Sequence, residues 1–230
     1  SKDGRLVVFH DDELSRLTGF TGSVADYTYV ELCRMPVIHA VDATERDVAP
    51  LLEDVLRVVD GRVPIIVEFK FENYRTWDDR DEELMQTAAA LLDAYQGLYV
   101  VESFNPAAMN WYKREHPDVC RGQLAEDTEF TKNPVLWMAG KLMFNEISRP
   151  DFVAYDFRNG NGAMLRFVRR MGAMAVAWTV RTSDELATAS FSRRSCRSSE
   201  SERFLTCTPQ QKTVPSNMSR SVRGYSLSIC

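Results

Sequence analysis

His10 stands at the end of an apolar, β-branched run, Leu6 to Phe9, and is followed at once by Asp11, Asp12 and Glu13. A histidine beside carboxylates can be held in one tautomer and tuned near neutrality, which suits it to moving protons. The plainer alternative is a solvated loop histidine. A second group lies in Ile66-Val67-Glu68-Phe69-Lys70. Residues two apart on a strand point the same way, so Ile66, Glu68 and Lys70 share one face and Val67 and Phe69 the other. Opposite charges on one face of an apolar strand are costly to bury unless they are paired or metal-bound. Glu68 and Lys70 are therefore either an internal ion pair, or a carboxylate for a divalent cation beside an ammonium for a phosphate oxygen. His116, before Pro117 at a helix end, and His39, with no ligand pattern beside it, read as structural or exposed.

Strands and helices must bring these residues together. Asp3-Gly4 is a turn signal ahead of Leu6 to Phe9, and on a strand with period two Leu6, Val8 and His10 share a face. Helical periodicity runs through Val48, Leu51, Leu52, Val55, Leu56 and Val59 and is closed by Asp60-Gly61. Ile65 to Phe69 reads as a strand, and a helix follows from about Asp79 to Tyr95. Leu98 to Val101 is a strand, and Pro106 opens a helix that ends near Pro117. Strands are expected at 120–124, 152–157 and 174–180, and helices at 163–171 and from Ser183. Residues 134–144 read as a helix or a loop with apolar anchors. Repeated strand–helix units of this length imply a parallel sheet covered by helices. His10, Glu68, Lys70, Glu102 and Trp178 fall at the C-terminal ends of strands, and no glycine-rich phosphate loop follows the early strands. Both observations favour a closed barrel over an open doubly wound sheet.

The chain has 230 residues and a formal net charge of −5. Residues 190–230 hold seven basic side chains against Glu200 and Glu202, so the body is acidic. An acidic body argues against nonspecific nucleic-acid binding and suits a site that recruits a cation to reach a phosphate. The five cysteines show neither CxxC nor Cys/His spacing, so no zinc site is expected. Cys33 and Cys120 are expected to be small buried thiols. There is no signal peptide and no apolar run of spanning length, which favours a cytoplasmic protein, although a parent protein attached to a membrane is compatible with the sequence. After Ala189 the composition changes, with eleven serines in the remaining 41 residues and no sustained period. This is the pattern of a disordered basic tail, or of a stretch read in another frame. Either way residues 190–230 are expected to add nothing to the sheet.

The run Lys2-Asp3-Gly4-Arg5-Leu6-Val7-Val8-Phe9-His10-Asp11-Asp12-Glu13-Leu14, continuing through Arg16, Thr18, Gly19, Gly22, Val24 and Glu31-Leu32, resembles the "KDG…VV.HD..L.R.TG..G.V…..EL" segment of the glycerophosphodiester phosphodiesterase family. Glu68-Phe69-Lys70 resembles the family's "EIK" strand, Glu102-Ser103-Phe104-Asn105-Pro106 its "SF.P" element, Arg121-Gly122-Gln123-Leu124 its "G.L" strand and Trp178-Thr179-Val180 its "WTV" strand. The resemblance covers residues 2–189. It implies a (β/α)8 TIM barrel with a small insertion, of which residues 1–34 form part. It implies that His10 is one of two histidines that handle protons, and that Glu68 is a metal ligand. Lys70 would line the phosphate site, and Trp178 would be a wall for the alcohol portion of the substrate or a core residue. Oxygen ligands suit Mg²⁺ or Ca²⁺.

The family's other histidine, in an "HRG" strand, and two more carboxylate ligands, in an "E.D" strand, have no counterpart here. The barrel is accordingly expected to lack its first strands and its last strand, and the chain to be impaired. The implied function is metal-dependent cleavage of small glycerophosphodiesters to glycerol 3-phosphate and an alcohol, in glycerophospholipid breakdown. The alternatives are a non-catalytic barrel that binds phospho-ligands through Lys70 and Trp178, and a sphingomyelinase D-like enzyme acting on phospholipid head groups.

Overall fold

The computed structural model describes residues 1–38, 47–71, 77–125, 148–156, 166, 170, 172–178 and 225–229. It divides into two compact units, Ser1–Val100 with Ser219–Cys230, and Val101–Met218.

The first unit begins with a turn at Asp3-Gly4, where Gly4 takes a φ of +74° that a side chain would strain. Two short helices follow, α1 (Ser15–Thr18) and α2 (Tyr29–Leu32). The sequence caps α2 itself, since the Thr28 hydroxyl accepts from Glu31 N–H while the Glu31 carboxylate accepts from Thr28 N–H. Around these turns Val7, Phe9, Leu14, Val24, Leu32, Met35, Ala49 and Leu51 form a buried apolar cluster. Cys33, at the end of α2, is exposed rather than buried, and Cys120 of the other unit is half-buried.

Leu6 to Phe9 is not a strand. It makes two isolated antiparallel bridges, Val7 with Leu51 and Val8 with Ile229. Held on both flanks, it buries Leu6, Val7 and Phe9 together while Val8 is half-buried and His10 exposed, so a strand's alternation of faces fails.

Helix α3 (Leu52–Val59) starts later than the periodicity suggests and ends at Asp60, whose φ of 49° gives a left-handed cap. Strand β1 (Ile65–Phe69) is followed by α4 (Asp79–Ala94). The Asp78 side chain caps α4 by accepting from Arg80 and Asp81 N–H, and the helix buries Met85, Ala88, Ala89 and Leu92. That i, i+3, i+4, i+7 spacing forms one stripe, and each fully buried Met or Leu contributes roughly 1.5–3 kcal/mol.

In the second unit β2 (Tyr99–Ser103), whose last three residues lie here, is joined by α5 (Pro106–Glu115) to β3 (Arg121–Ala125). The Asn105 side chain caps α5 through Ala107 N–H, and Pro106 takes its first position. Strands β4 (Phe152–Asp156) and β5 (Met174–Trp178) follow. The order is β2-β3-β4-β5, and each of these neighbouring pairs is parallel, as the strand–helix alternation requires. The expectations at 134–144 and for a helix from Ser183 lie outside the described residues.

The tail departs from expectation. Residues 225–229 form β6 (Tyr225–Ile229), parallel to β1, with Val67 opposite Leu227 and Phe69 opposite Ile229. Ile229 is fully buried. The segment Tyr-Ser-Leu-Ser-Ile alternates apolar and polar residues with period two, the mark of a half-buried strand. It is five residues long, and the serine-rich surroundings hide it.

Candidate functional site

Strand β1 carries Glu68 and leads directly into Lys70, whose backbone N–H donates to the Ile229 carbonyl at 2.9 Å. The ladder with β6 therefore continues one residue past β1 and fixes where Lys70 leaves the sheet. Glu68 and Lys70 lie on one side, as period two requires, with Lys70 Nζ 3.7 Å from Glu68 Oε1. Both side chains are largely buried, at 14% and 10% exposure for Lys70 and Glu68. Asp12 reaches Lys70 from the loop after Phe9, with Oδ1 3.4 Å from Nζ, and is itself 78% exposed. The bridge from Val8 to Ile229 holds this loop at the C-terminal ends of β1 and β6, so a cation sheltered by the sheet faces a loop that carries a histidine.

That histidine is His10, 77% exposed, with Nδ1 3.0 Å from Asp11 Oδ1. Asp11 turns inward, 16% exposed, and accepts a fork from Arg16 of α1, Nε to Oδ2 at 2.5 Å and Nη2 to Oδ1 at 2.7 Å. The Arg16 hydrogen bonds hold the Asp11 carboxyl below the usual carboxylate range, and His10 adds to the effect. The same fork pushes the Arg16 guanidinium further up.

His10, Glu68 and Lys70 thus belong to one unit and, with Asp11, Asp12 and Arg16, to one neighbourhood. Trp178 is the last residue of β5, opposite Asp156 in the register with β4, and its side chain lies outside the described residues. Glu102 is buried near the end of β2. His116 caps the end of α5 with its ring against Trp111 and Tyr112, a structural place, and His39 lies outside the described residues. In the sequence Asp11 and Asp12 are only part of an acidic stretch, with no local mark of Asp12 as a partner of Lys70. The signal lay in an unbalanced lysine on an apolar strand, which needs a counter-charge from elsewhere.

Among the described residues no group of three or more His, Cys, Asp or Glu is placed to hold a metal ion. Glu68 offers one carboxylate, and an ammonium already stands against it, so the described donors do not form a cation site by themselves. No helix among the described residues is long and apolar enough to cross a membrane.

Residues 1–193 match the model of the glycerophosphoryl diester phosphodiesterase family. A glycerophosphodiester phosphodiesterase of Bacillus altitudinis is 42% identical over 74 residues, 32% of this chain and 30% of that protein. Protein YqiK of Bacillus subtilis is 30% identical over 129 residues, 55% of this chain and 52% of the relative. The chain thus spans about a third to a half of the length of these curated relatives. Among solved structures, a phosphodiesterase of Oleispira antarctica in complex with the product sn-glycerol-3-phosphate superposes with a TM-score of 0.64 at 19% identity, covering 84% of this chain and 74% of that one. The fold is the barrel type of these phosphodiesterases, incomplete among the described residues.

Proposed function

This chain belongs to the glycerophosphoryl diester phosphodiesterase family, and from that premise we propose that it binds glycerophosphodiesters and cleaves them to glycerol 3-phosphate and an alcohol, in glycerophospholipid breakdown. One observation carries the reading. A sheltered lysine, Lys70, meets the His10–Asp12 loop at the C-terminal end of β1, the end where barrel enzymes gather their chemistry.

A phosphodiester oxygen is a better partner for Lys70 than Asp12, whose contact is long and whose carboxylate is mostly in water. Lys70 would take an oxygen of the phosphate and stabilise the charge that grows on it during cleavage. His10, exposed in the loop that carries Asp12, would exchange a proton with the attacking or leaving oxygen. The family works with a divalent cation, for which Mg²⁺ or Ca²⁺ suits oxygen donors. We assign Glu68 as one of its ligands and route no step through it, because the described residues do not complete the set. Trp178 is assigned to the alcohol portion of the substrate.

A second histidine beside His10 is not found among the described residues. Loss of one acid–base partner typically costs about 10²–10⁴-fold in rate, so slow turnover is expected of the 230-residue chain. The test is release of glycerol 3-phosphate from glycerophosphocholine and glycerophosphoethanolamine, with added Mg²⁺, with Ca²⁺ and with chelator. Slow, cation-dependent release that disappears in His10→Ala supports the proposal. Binding of glycerol 3-phosphate without release supports the second reading, a non-catalytic phospho-ligand-binding barrel, for which the sheltered Lys70 ammonium would serve as the anion contact. Neither binding nor release would overturn both.

A further inference from the structure

We propose that Asp11, clasped by Arg16, is a positioning residue that takes the Nδ1 proton of His10 and leaves Nε2 as the nitrogen presented to substrate. The proposal rests on the reading of His10 as the proton-handling group. Its basis is geometric. Asp11 Oδ1 receives both His10 Nδ1, at 3.0 Å, and Arg16 Nη2, at 2.7 Å, while Oδ2 receives Arg16 Nε.

Arg16 is itself held in place. It sits on α1, whose start is fixed by Leu14, 1% exposed, with its N–H on the Gly22 carbonyl, and whose end is fixed by the buried Thr18 hydroxyl on the Leu14 carbonyl. A guanidinium fork has one good arrangement on a carboxylate, so α1 sets the position of Asp11, and Asp11 sets the plane and rotation of the imidazole.

The tautomer follows from donor and acceptor chemistry. An ionised carboxylate only accepts, and Arg16 keeps Asp11 ionised. The contact at Nδ1 can therefore form only if Nδ1 carries a proton. In the neutral ring the lone pair is then on Nε2, which can accept a proton. In the charged ring Nε2 carries the second proton and can give it. Both directions of transfer run through the same atom, on the side of the ring turned away from Asp11. Asp12 is engaged by Lys70 and Glu13 is exposed, and the carboxylate in contact with the His10 ring is Asp11. A salt bridge serving only to hold the loop would fix no tautomer.

The test needs no turnover, which separates its failure from failure of the proposed reaction. The 230-residue chain is labelled with ¹⁵N-histidine, and ring ¹⁵N shifts and two-bond couplings are recorded where imidazole is neutral, His10 being assigned by its loss in His10→Gln. The wild-type ring is expected mainly as the Nδ1–H tautomer. Asp11→Asn keeps the shape but can turn an N–H toward the ring, and should move His10 to the Nε2–H form while the chain stays folded. Arg16→Lys keeps the charge but breaks the fork, and should give a mixture of tautomers. Where glycerol 3-phosphate release is measurable, Asp11→Asn should lower kcat by about 10²-fold or more with KM nearly unchanged. A wild-type His10 in the Nε2–H form, or a tautomer that Asp11→Asn leaves unaltered, overturns the proposal. So does an Asp11→Asn variant that turns over at the wild-type rate.

Discussion

Lys70 and Glu68 stand 3.7 Å apart, and exchanging either for a neutral side chain leaves the other buried with less compensation. The two variants should nevertheless differ in kind. Lys70→Met removes the cation that faces the ligand, and should weaken binding of glycerol 3-phosphate at least tenfold in isothermal titration. Glu68→Gln removes the carboxylate, and should chiefly weaken the response to Mg²⁺ or Ca²⁺ while leaving phosphate binding in place. An unchanged metal response in Glu68→Gln would return the pair to a purely internal role. Asp11 carries a prediction about pH. Its folded-state pKa is depressed, first by Arg16, so the stability it contributes is present above its unfolded pKa and is lost only as pH falls through the lower, folded one. A ¹³C carboxyl titration should find Asp11 still ionised where unperturbed aspartates have half protonated; a midpoint in the ordinary range would contradict the clasp. At this scale the shared face of Glu68 and Lys70 was legible, because strand period fixes it whatever the surroundings. The face of His10 was not, because Leu6 to Phe9 is bridged on both flanks and does not alternate as a strand does.

Helix limits were legible where side chains cap the backbone. Asp78 and the Asn105-Pro106 pair mark the starts of α4 and α5 to the residue, since the donors they satisfy belong to the first turn. α3 begins later than its periodicity because Leu51 is bridged to Val7 and extended. β6 is hidden in the sequence because its alternating signal fills only five residues within a serine-rich, aperiodic stretch. Packing between strands brings a sharper test. Gly122 lies opposite Phe152 in the β3–β4 register, and a Cβ built there would come within 2.1 Å of the Phe152 ring. The glycine makes room for that ring across the sheet. Gly122→Ala should therefore cost about 1–3 kcal/mol in denaturant unfolding, and Phe152→Leu in the same chain should recover part of it. Equal stability of Gly122→Ala and wild type would mean the ring can move aside freely.

For the molecule as a whole, alternating strand and helix signals were enough to point to parallel β/α architecture, because parallel neighbours need a crossover between them. Which distant segments pair was not legible. The first unit is discontinuous, Ser1–Val100 with Ser219–Cys230, and no local pattern announces that the tail returns to β1. Deleting residues 219–230 should remove the acceptor of the Lys70 N–H, open one edge of β1 and lower the melting temperature. Hydrogen exchange should quicken at Lys70 and along Ile65–Phe69 while the α5 amides hold their rates. Unchanged protection at Lys70 would show that β6 contributes little to the first unit.

The pairing of Ile65 with Tyr225 also sets a timetable for synthesis. A ribosome adding about 5–20 residues per second finishes β1 roughly 10–30 s before β6 has been made. Throughout that interval one edge of a strand rich in Ile, Val and Phe lacks the native neighbour that will cover it. Codon pace and holdase chaperones acting on that window should govern the soluble yield of this protein more strongly than any single contact in its finished fold.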